Sequence, residues 1–117
     1  MIEPGYVRKM AQYNAWQNRQ LSVMLEPVPE ADLRADRGAF FGSIFGTLNH
    51  LLWADTLWMS RFTDAVQPAQ VGPEGQLDFT PTFPVWTAER FTLDGAIRLW
   101  ADKMHAVDLA GTLTWSS

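Results

Sequence analysis

The run SIFGTLNHLLWADTLWMSRF, residues 43 to 62, constrains the fold more than any other part of the chain. At 100° per residue Phe41, Phe45, Leu48, Leu52, Met59 and Phe62 fall in one narrow sector, and Ile44, Leu51 and Trp58 widen it. The spacing predicts a helix over 43–62 with that sector turned to the core. His50, Trp53, Ala54 and Leu57 lie nearly opposite, so the helix is apolar on two faces. A helix of that kind is sandwiched between other elements and does not lie on a surface.

Two more helices are legible. Val7, Met10, Leu21, Met24 and Leu25 recur at helical spacing from Pro4 onward, beside Tyr13 and Trp16, until Pro27 and Pro29 stop the run. A third helix is expected from near Trp86 or Thr87 to about Val107, with Leu93, Ile97, Trp100, Met104 and Val107 on its inner stripe. Arg90, Asp94, Arg98 and Asp102 alternate in sign at i, i+4 along it, which reads as a solvated salt-bridge ladder. The segment EADLRADRGAFFG reads as a connection with a short helical turn. Residues 63 to 84 hold four prolines and two glycines without a period, and so form a long crossover. The fold class is therefore all-α, part of a bundle with one long crossover.

A chain of 117 residues is sized for a single domain, 1–117, and its 47% hydrophobic content with six tryptophans excludes a disordered tail. A net charge of −4 offers no footprint for a phosphate backbone, so no nucleic-acid partner is expected. Without cysteine there is no disulfide, no thiolate metal site and no cysteine nucleophile. The N-terminus is not a secretory signal, and no window is apolar for the roughly 18 residues a membrane span needs. A soluble, cytoplasmic protein is the expectation. The signatures of zinc proteases, nucleotide enzymes and serine hydrolases are all missing.

The candidate site residues are few. His50 sits in TLNHLLWAD; an isolated histidine in an apolar helix is more often a hydrogen-bonded structural residue than a ligand. His105, the other imidazole, has few donors beside it. Asp55, on the inner stripe, reads as a core acceptor, a partner for an arginine, or a group supporting a ligand. Asn14 reads as an amide bridging neighbouring helices, and Trp16, Trp53, Trp58 and Trp100 as core or interface aromatics.

The runs YNAWQNRQL, SIFGTLNHLLWADTLWMSRF and DFTPTFPVWTAERFTLDGAIRLW resemble, in order and over nearly the whole chain, the DinB/YfiT-like family of metal-dependent enzymes. The most specific piece is TLNHLLWAD followed by Trp58 and Arg61. The resemblance implies a four-helix bundle with the long link between helices two and three, commonly a homodimer. It implies a divalent metal, nickel or zinc, on three histidines: His50 from helix two and an i, i+4 pair from helix four. Three imidazoles leave open positions for water or substrate. The activity it implies is thiol-dependent S-transfer or isomerisation with a small-molecule thiol. Only three helices are evident here, no i, i+4 histidine pair is present, and by the resemblance the chain is expected to be C-terminally incomplete. Two readings follow: a metal-dependent enzyme with His50 as a ligand, or a metal-free, non-catalytic dimeric form of the fold.

Overall fold

The computed structural model describes residues 3–38 and 40–104. Helix α1 spans Pro4–Leu25, a short α2 spans Glu30–Arg34, α3 spans Ile44–Phe62, a 3-10 helix spans Pro73–Asp78, and α4 spans Phe83–Asp102. Among the described residues there is no strand, only an isolated bridge at Gly42, and the expected all-α bundle with its long crossover is what the chain forms.

Each boundary has a local cause. Pro4 opens α1, where a missing N–H costs nothing. Ser43 caps α3, its Oγ accepting from the Gly46 N–H at 2.9 Å. Helix α4 begins at Phe83, earlier than the spacing suggested, because Pro84 sits in its first turn and does not break it. The Phe83 N–H, an orphan donor of that first turn, is taken by the Glu30 carboxylate of α2. Arg34 completes the junction, pairing with Glu30 at 3.2 Å, donating to the Pro81 carbonyl and lying over the Phe45 ring. The helix ends at Asp102 with Lys103 as its cap, while Val107 lies outside the described residues.

Helix α4 is the axis of the assembly. It packs along α1 on one side and against α3 on another, whereas α1 and α3 barely touch. The core lies between α3, α4 and the α2 junction, built from Leu33, Phe45, Leu48, Leu52, Met59, Phe83, Trp86 and Leu93. Trp86 is buried and gives its indole N–H to the Leu48 carbonyl at 3.0 Å, which removes the cost of hiding that donor.

Three expectations are corrected. Leu51 and Trp58 are about half exposed and stand outside the core, Trp58 lining a groove towards α1. Phe41, just before α3, likewise stays out of the core and turns its ring to His50, while the exposure of Trp16 removes the core alternative of its core-or-interface reading. The Arg90–Asp94 part of the charge ladder is not solvated: the two side chains are 3% and 6% exposed, since α4 is covered on both sides at that level.

Candidate functional site

Two polar constellations flank α3. The first surrounds His50. Helix α3 presents Asn49 and His50 to the crossover, which lies over them as the 3-10 helix. That contact is what covers the second apolar face of α3. Asn49 is completely buried; its Nδ2 donates to the carbonyls of Leu77 and Thr80, and its Oδ1 accepts from the Thr80 N–H and hydroxyl. The crossover is thereby held in register against α3.

That register places Gln76 beside His50. The Gln76 Nε2 donates to the Pro73 carbonyl at 3.0 Å, so its amide is oriented with Oε1 towards the imidazole. An acceptor oxygen facing Nδ1 of His50 selects the tautomer that carries its proton on Nδ1 and leaves the Nε2 lone pair free. Among the described residues Nε2 takes no hydrogen bond. Phe41 stacks on the imidazole with ring centroids 4.0 Å apart, and Trp53, whose indole N–H donates to Val71, lies 6.4 Å away.

The approach of Phe41 depends on two glycines. Gly42 turns the chain at φ +81°, a region costly for other residues. At Gly46 a Cβ would stand 2.5 Å from the Phe41 carbonyl oxygen, so only glycine admits the loop this close to the helix.

The second constellation lies between the three long helices. The Arg90 guanidinium reaches Asp94 Oδ1 from Nε at 3.0 Å and from Nη2 at 2.7 Å, and reaches Asp55 Oδ2 at 2.7 Å. Asp94 also accepts from Asn14 at 3.2 Å and from Asn18 at 2.9 Å. Asp55 is thus an arginine partner, and Asn14 is the inter-helix bridge its position suggested. Asn18 is a member that spacing did not single out, and Arg90 and Asp94 read from spacing as a solvated ladder, because charged and amide residues at i, i+4 look the same whether solvated or buried. Asp55, Asn14, Tyr6, Met10, Trp58 and Trp100 line a groove of about 400 Å³ between α1 and α3.

His50 and Asp55 do not meet in one site: His50 faces the crossover, Asp55 the groove. His105 lies outside the described residues. Among the described residues no group of three His, Cys, Asp or Glu side chains could hold a metal ion. His50 offers one well-oriented donor nitrogen, and those residues alone do not complete a centre.

Fold and site together define, among the described residues, an all-helical bundle in which a long crossover orients His50. The chain belongs to the DinB family, whose family model matches residues 1–107. No curated protein and no solved structure matches it. Among the described residues no helix is long and apolar enough to cross a membrane.

Proposed function

We propose that this chain serves a divalent-metal-dependent enzyme of the DinB family, with His50 as a ligand through Nε2 and the remaining donors supplied from outside the described residues. The observation that carries the reading is the Gln76–His50 contact. A histidine that binds metal through one nitrogen commonly gives the other N–H to an acceptor that sets tautomer and ring orientation, and Gln76 does this here. Phe41 and the fixed crossover hold the ring still, so little rotamer freedom would be lost on binding. When bound, nickel or zinc would supply Lewis-acid stabilisation of an anionic nucleophile, and a small-molecule thiol undergoing S-transfer or isomerisation is the substrate class in keeping with it.

The reading includes a homodimer and a location in the cytoplasm. Support for the dimer comes from Tyr6, Met10 and Trp58, exposed side by side along the α1–α3 groove, an apolar surface that a soluble monomer seldom displays. A stable monomer at micromolar concentration in sedimentation would remove that part.

The second reading is a metal-free, non-catalytic form of the fold, favoured by the lack of any three-donor cluster among the described residues. Metal content per chain, measured on untagged protein and on His50→Ala, decides between them. Stoichiometric metal that the variant loses supports the first reading. Protein that carries no metal after growth with nickel and zinc supports the second.

A further inference from the structure

On the far side of the Arg90 network from the α1–α3 groove, α1 and α4 leave a cleft of about 120 Å³. Its walls are Ala15, Phe91 and Gly95; Arg19, Arg98, Asn18, Ser22 and Thr87 stand around it, and Arg90 and Asp94 form its floor. We propose that this cleft binds a small organic carboxylate, clamped by Arg19 and Arg98.

Charge is the first argument. Three guanidinium groups and one carboxylate line the cleft, in a chain whose net charge is −4. Arg90 and Asp94 are spent on each other and on Asp55, Asn14 and Asn18. Arg19 and Arg98 are exposed at the rim, and among the described residues neither has a hydrogen-bond or ion-pair partner. Even Asp102, one turn beyond Arg98, makes no ion pair with it. The surplus negative charge of the Asp55–Arg90–Asp94 cluster is shown at Asp55, which lines the groove and not this cleft.

Gly95 is the second argument. It sits in the interior of α4, where glycine weakens a helix. Close packing does not demand it, because nothing lies within 4 Å of the position a Cβ would take. The missing side chain keeps the cleft open beside Phe91.

The walls decide the ligand class. A planar guanidinium fork matches a carboxylate in two parallel hydrogen bonds. Ala15, Gly95 and the exposed Phe91 ring favour a carbon skeleton over a bare, fully hydrated oxyanion. The cleft shares no residue with the surroundings of His50, so its occupancy does not depend on metal.

The test is calorimetric titration of the full chain with benzoate at fixed ionic strength, repeated on Arg19→Gln, Arg98→Gln and Gly95→Leu. Saturable binding is expected in the parent, weakened about tenfold or more in each arginine variant and abolished in Gly95→Leu, which fills the cleft while favouring the helix. Inorganic phosphate at equal concentration should leave benzoate in place. No binding by the parent overturns the proposal, as does unchanged binding in either arginine variant or in Gly95→Leu. Displacement by phosphate would make this a bare charge site and overturn it too.

Discussion

Asn49 and Thr80 grip one another through three hydrogen bonds in a site shut off from solvent: Thr80 gives its N–H and its hydroxyl to Asn49 Oδ1 and takes the Asn49 amide on its carbonyl. One amide side chain on a helix thereby satisfies the backbone of a segment that has no ladder of its own. Replacing it with leucine leaves two donors and two carbonyls, those of Leu77 and Thr80, without their partner. Asn49→Leu should cost about 2–4 kcal/mol, given roughly 1–3 kcal/mol for each buried group left unsatisfied and partial relief by water. Urea unfolding gives the size of the loss. Amide exchange should show the 77–80 segment opening first, and unaltered protection there would contradict the assignment.

The two carboxylates on Arg90 should differ sharply in what their loss does. Asp94 is buried and holds four hydrogen bonds, whereas Asp55 is 43% exposed and holds one. Asp94→Leu takes from the buried Arg90 its better-buried counter-charge, leaving only the half-exposed Asp55 on it, and unpairs the Asn14 and Asn18 amides, at a cost of about 3–5 kcal/mol. Asp55→Asn should cost under about 1 kcal/mol, because water screens a half-exposed partner. Equal losses in chemical denaturation would mean that Asp55 is buried in solution, by a partner or by another part of the chain.

The helices were legible because their apolar residues repeat at 3.6, and α1 in particular begins at Pro4 and ends at Leu25 as its prolines require. The start of α4 was not, since Pro84 looks like loop until Thr82 is known to cap and Glu30 to take the Phe83 N–H. Burial of Arg90 and Asp94 was hidden for a different reason. A wheel shows which residues share a face but not which other helix covers it, and α4 is covered twice. His50 could be singled out as an isolated imidazole, yet its orienting partner, Gln76, lies 26 residues away in a stretch without period. The buried Asn49 contacts to Leu77 and Thr80 set that register, with Trp53 on the Val71 carbonyl beside them, and an asparagine in a helix carries no mark of it.

Two glycines in helices should respond to alanine with opposite signs. At Gly95 a methyl meets nothing, so Gly95→Ala should stabilise α4 by up to about 1 kcal/mol, the propensity difference between the two residues. At Gly46 the methyl would collide with the Phe41 carbonyl, and the loop must retreat. Overpacking of that kind costs about 1–3 kcal/mol. Thermal unfolding of the two variants reads both, and a Gly46→Ala protein as stable as the parent would show that the Phe41 carbonyl does not press on the helix at Gly46.

The tautomer of His50 supplies a test that needs no metal. Gln76 is turned by Pro73 so that its oxygen meets Nδ1, and an oxygen can only accept. The neutral imidazole should therefore carry its proton on Nδ1, against the general preference of free histidine for the Nε2-protonated form. Nitrogen-15 shifts of the ring, recorded at a pH where His50 is neutral, should show this in the parent. In Gln76→Leu the acceptor is gone while the apolar stack on Phe41 remains, and the ring should return to the Nε2-protonated form. If the protein takes up metal, the same variant should bind it about 10–100-fold more weakly, the usual cost of losing such a supporting contact. A parent protein already protonated on Nε2 would remove Gln76 as the orienting group, and with it the argument that His50 is set to ligate through Nε2.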